Sequence, residues 1–94
     1  MTQIRIFKWK LVLNPIQGIE VPDYWEPIAV QMQHGKPCIW AKVGVDSDVS
    51  RNVLVRIVGT GQEFCDDGYD YFGTVQDGGF VWHVYLSTER ELIE

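Results

Sequence analysis

Trp40, Lys42, Arg56, His83 and Tyr85 are the side chains whose types and spacing bear most directly on chemistry. Each interrupts a run of alternating apolar residues. Trp40 and Lys42 alternate with Ile39, Ala41 and Val43; Arg56 lies between Val55 and Ile57; His83 and Tyr85 flank Val84. Alternate residues of an extended strand face opposite sides, so a core built from the apolar set leaves these five on a second, mixed face. Aromatic rings beside fixed positive charges and an imidazole are the composition that stacks on and neutralises an anionic, ring-containing ligand. The more ordinary reading of the same composition is packing against the first strand or a neighbouring subunit, with Lys and Arg stems lying along apolar surface. Gly59 and Thr60, in Gly59-Thr60-Gly61, add backbone amides able to approach a phosphate. They lack the third glycine of a dinucleotide fold and the lysine of a P-loop, so a strand end with a bulge is the first reading.

Other constellations are weaker. Glu63, Asp66, Asp67 and Asp70 offer oxygen ligands for a hard cation, but their spacing is not that of an EF-hand, and a solvated acidic loop accounts for them. His34, Cys38, Cys65 and His83 are zinc-ligand types without a C-x₂₋₄-C or H-x₃₋₅-H pair. A thiolate at Cys38 or Cys65 activated by His83 would need a third group to orient it, and none can be assigned. The reading is therefore non-enzymatic, with no metal and no cofactor expected.

Positioning these residues falls to β-strands. Phe7, Trp9, Leu11 and Leu13 alternate along a first strand from Ile4 to Leu13, which Asn14-Pro15 ends. Ile16 to Val21 is a short second strand, and 22–27 is expected to be a proline-bracketed loop carrying Tyr24 and Trp25 outside the core. Ile28, Val30 and Met32, then Ile39, Ala41, Val43 and Val45, form a hairpin about Gly35. Val53, Val55 and Ile57 mark a fifth strand, and 62–69 a non-periodic acidic loop. Asp77-Gly78-Gly79 turns a last hairpin between two β-rich runs, with Phe80, Trp82 and Val84 expected to face inward. Thr88 with Glu91 is a capping box that would start a short C-terminal helix. The fold class expected is all-β: one domain over 1–94, a small antiparallel barrel or sandwich of six to seven strands.

The chain carries four Trp, four Tyr and four Phe at a formal net charge of −5. So much aromatic surface on so small a core leads us to expect a homo-oligomer. Eight basic residues scattered singly make no stripe for a phosphate backbone, which argues against duplex nucleic acid. No signal peptide or long apolar run is evident, so a cytoplasmic location without membrane association is expected, with Cys38 and Cys65 as free thiols filling small buried gaps.

The string from Val30 to Ala41 (VQMQHGKPCIWA), followed by Arg56-Ile57-Val58-Gly59-Thr60-Gly61, Gly73-Thr74-Val75-Gln76 and Phe80-Val81-Trp82-His83-Val84, resembles a family of small proteins of tailed phages and prophages. The resemblance covers most of the chain and departs from it in the acidic segment 62–69 and after Tyr85. It implies a viral origin, a host-cell setting and a small β fold, and it implies no activity. The function expected on these grounds is sequestration of a small anionic, nucleotide-like host molecule, in a pocket at or near a subunit interface. A protein–protein inhibitor or adaptor of a host factor is the alternative, and a minor virion or assembly component a third.

Overall fold

A computed structural model describes residues 3–88. Seven strands form, every pairing antiparallel: β1 Ile4–Lys10, β2 Ile16–Pro22, β3 Trp25–Gln33, β4 Lys36–Gly44, β5 Ser50–Gly59, β6 Tyr69–Asp77 and β7 Phe80–Ser87. They make a three-stranded sheet in the order β1-β4-β3 and a four-stranded sheet in the order β2-β5-β7-β6. The two pack face to face as a small β sandwich. Ile39, Ala41 and Val43 of β4 meet Val53, Val55 and Ile57 of β5 and Val84 of β7 in a single cluster, as their alternation requires.

Local chemistry explains the connections. β1 gives way to β2 through a bend whose Val12 N–H and C=O are both taken by the Gln17 side-chain amide (3.0 and 2.6 Å), which stands in for a strand partner. Trp9 ties the two sheets together by donating its indole N–H to the Glu20 carbonyl (3.0 Å). His34 and Gly35 both take positive φ (53° and 79°), as the two central residues of a type I′ hairpin turn do. Gly78, at φ 62°, opens the β6–β7 turn.

Several expectations need correction. Trp25 is core, 8% exposed, and begins β3 instead of lying in a loop. Pro27 does not break this strand because β3 is a sheet edge, where a missing N–H leaves no partner stranded. The register shifts between Pro27 and Ala29, so Ile28 is bulged outward and exposed. The first strand ends at Lys10; Leu11 is fully buried but Leu13 is exposed, as is Val45 beyond β4. Of the inward set on β7, Val84 is fully buried, Trp82 packs half-buried at the margin of the core, and Phe80 is 65% exposed. Phe80 pairs with Asp77 at the hairpin tip, past the last core contact, so alternation gave its side but not its cover. Cys38 is a buried free thiol, whereas Cys65 is exposed and fills no gap. The capping box at Thr88 and Glu91 leads into 89–94, outside the described residues; within 3–88 there is no helix, and hence none long and apolar enough to cross a membrane.

Candidate functional site

The order of the four-stranded sheet creates the site. β7 sits between β5 and β6 and is antiparallel to both, so β5 and β6 run parallel to each other. The segment 60–68 joining them must therefore travel the length of the sheet and cross β7. It crosses on the outer face, laying Phe64 edge-on against Tyr85 with ring centroids 5.0 Å apart. Tyr71 meets Tyr85 from β6 at 5.6 Å. Arg56, on the outward side of β5 and paired in register with Tyr85, places its guanidinium 5.8 Å from the Phe64 ring centroid and 5.7 Å from that of Tyr69. Among the described residues no carboxylate pairs with Arg56 and none of its guanidinium N–H groups is hydrogen-bonded. A preorganised cation thus stands between aromatic rings with its donors unused.

His83 lies beside this cluster in a chain of hydroxyls. Its Nε2 is 2.8 Å from Thr60 Oγ1, its Nδ1 is 3.0 Å from Thr74 Oγ1, and Thr74 is 2.6 Å from the Tyr71 hydroxyl. Both ring nitrogens are therefore occupied. Hydroxyls donate and accept, so the chain serves either tautomer, and His83 holds the crossover onto the sheet with both ring nitrogens engaged.

Thr60 owes its place to a turn. Gln62 donates its N–H to the Gly59 carbonyl (3.1 Å) and its Oε1 accepts from the Gly59 N–H (3.0 Å), while Gly61 at φ 90° takes the third position, as a type II turn needs. The Gly59 amide is thereby spent internally and is not free for a phosphate. A Cβ on Gly59 would lie 3.3 Å from the Trp82 ring, so the glycine also serves close packing.

Trp40 and Lys42 are not part of this arrangement. They project from the outward side of β4, in the three-stranded sheet, on the opposite side of the sandwich from Arg56, His83 and Tyr85. Alternation assigned all five to outward faces without showing that the molecule has two. Lys42 is ion-paired with Glu26 (3.6 Å), to which the Tyr24 hydroxyl also donates (2.8 Å). The Tyr24 hydrogen bond, then the Lys42 charge, holds the Glu26 carboxyl below the ordinary glutamate range. Donating to that carboxylate in turn raises the Tyr24 hydroxyl above its ordinary value. The folded carboxyl is the lowered one, so its contribution to stability is present above the unfolded glutamate pKa and is lost as pH falls through the folded value. Tyr24→Phe is expected to move the Glu26 midpoint back up in a carboxyl ¹³C titration; an unmoved midpoint would show that the hydrogen bond is not the main cause.

Phe64, Tyr69, Tyr71 and Thr74 belong to the site yet escape a reading by periodicity. The one available signal is Phe64 itself, an apolar ring in an otherwise acidic, non-periodic stretch. Among the described residues no group of three or more His, Cys, Asp and Glu side chains comes together as a metal-holding cluster. No curated protein and no solved structure matches the chain. Residues 2–93, nearly the whole sequence, match the family described as Domain of unknown function (DUF7352), and the chain belongs to that family.

Proposed function

We propose that the chain is a non-enzymatic binding protein whose binding surface is the outer face of the four-stranded sheet, centred on Arg56. One observation carries the reading: the Arg56 guanidinium lies against Phe64 and Tyr69 with no carboxylate partner among the described residues. A guanidinium fixed by aromatic contacts has already lost much of its rotamer freedom, so less is lost when it grips an anion. The ligand that fits has a flat ring to lie on the tyrosines and one anionic group for Arg56. Glu63, Asp66 and Asp67 on the crossover repel anything of higher charge, which favours a nucleoside monophosphate or cyclic nucleotide over a polyanionic strand. Joined to the phage-type resemblance, this supports sequestration of a nucleotide-like host molecule.

A second reading is docking of a host protein. It is favoured by exposed Ile16, Leu54 and Tyr71, which extend the same face and give it the breadth of a protein interface. A panel of nucleoside monophosphates and cyclic nucleotides, followed by thermal shift and calorimetry, separates the two. Arg56→Ala is expected to weaken the binding member about tenfold or more, the loss of one charge-assisted contact, with Arg56→Lys recovering only part. A panel that leaves the melting temperature unmoved would sink the small-molecule reading and leave the protein interface.

A further inference from the structure

The three-stranded sheet carries charge of opposite sign to the chain. Its strands hold Arg5, Lys8, Lys10, Lys36 and Lys42 against a single acid, Glu26, in a protein whose net charge is −5. Lys42 uses that acid. Lys8, Lys10 and Lys36 have no ion pair among the described residues, and instead they converge. With Gln33, His34 and Cys38 they line one cleft of about 90 Å³ that contains no carboxylate in its walls.

The fold holds the cleft open in a defined shape. Lys10 is paired in register with Cys38, and Lys36 with Gln33, at the foot of the His34-Gly35 turn. Lys8 donates its ammonium to Gln33 Oε1 (2.5 Å), a bond that joins β1 to β3 across β4. Cys38, 1% exposed, lies below as floor. Three lysines share this cleft with no carboxylate beside them, and a bound oxyanion would accept charge-assisted hydrogen bonds from them.

We propose that this cleft binds a phosphate group. The lining decides the class: three lysines with no carboxylate among them suit a tetrahedral oxyanion, and no Phe, Tyr or Trp lines the cleft for a ring to stack on. The phosphate is therefore either the free ion or the end of a larger molecule whose remainder stays outside. The site is on the opposite side of the sandwich from Arg56 and does not depend on the function proposed for that face.

Amide NMR titration of the whole chain with inorganic phosphate, against sodium chloride of equal ionic strength, tests the proposal, and adenosine monophosphate provides a second arm. Saturable shifts confined to 8–10 and 33–38 are expected with phosphate. Lys10→Gln combined with Lys36→Gln, both exposed and so tolerable to the fold, should raise the dissociation constant about tenfold or more, while Arg56→Ala leaves it unchanged. The same shifts with the nucleotide would identify a phosphate carried on a larger molecule; shifts with phosphate alone would identify the free ion. Shifts no larger than those from chloride, shifts confined to the Arg56 face, or an unchanged constant in the double variant would each overturn it.

Discussion

Trp25→Ala is expected to destabilise the protein by about 3–5 kcal/mol, a large part of the stability of a domain this small. Trp25 is buried against the core and packs edge-on with Trp9 at 6.0 Å and an interplanar angle of 90°. Truncation removes its apolar area and opens a cavity beneath the three-stranded sheet. It also frees Trp9, whose indole N–H carries the bond to β2, so the loss spreads to the joint between the sheets. Trp82→Ala should cost distinctly less, because that ring is only half-buried at the core margin, and Phe80→Ala, 65% exposed, about 0.5 kcal/mol or less. Urea unfolding followed by far-UV circular dichroism ranks the three. A Trp25→Ala midpoint close to wild type, or a larger loss at Phe80 than at Trp25, would contradict the assignment of the core.

The contrast between these residues shows what a sequence of this kind discloses. Alternation along β4 and β5 identifies the buried side correctly at six positions, because both strands are internal and covered along the stretch concerned. At edges and tips it loses force. Pro27 suggests a loop where an edge strand tolerates it, and Phe80 has the parity of a core residue but stacks on Trp82 at the hairpin tip and stays 65% exposed. The site was legible in half. Arg56, His83 and Tyr85 stand out as polar or amphipathic residues on apolar strands, but their companions depend on strand order. Only when β7 is known to lie between β5 and β6 does the acidic stretch become a crossover that brings Phe64 onto Tyr85, and only then do Trp40 and Lys42 move to the opposite face. Period-2 reasoning carries no information about which sheet a strand joins.

Gly73→Ala should cost about 1–3 kcal/mol by overpacking, and the cost should shrink when Val30 is made smaller. A Cβ at Gly73 would lie 2.6 Å from Val30 Cγ1, across the contact between β6 and β3 that closes one side of the sandwich. Backbone strain is not the cause, since Gly73 has no positive φ; space is. Val30→Ala alone creates a void at a position 9% exposed and should destabilise by about 1–2 kcal/mol. Combined, the new methyl occupies the room left by the old one, so the double variant should be more stable than the sum of the singles predicts, by a coupling of about 0.5–3 kcal/mol. Gly73 follows the register shift at Phe72 and precedes Thr74, which bonds His83 and so helps anchor the crossover. Pushing β6 outward at this point should therefore disturb the Arg56 surface as well. If a nucleotide binds there, Gly73→Ala should weaken it and the added Val30→Ala should restore part of the loss. Strict additivity of the two stability changes would show instead that β6 moves freely away from β3, and that the glycine is not kept small by that contact.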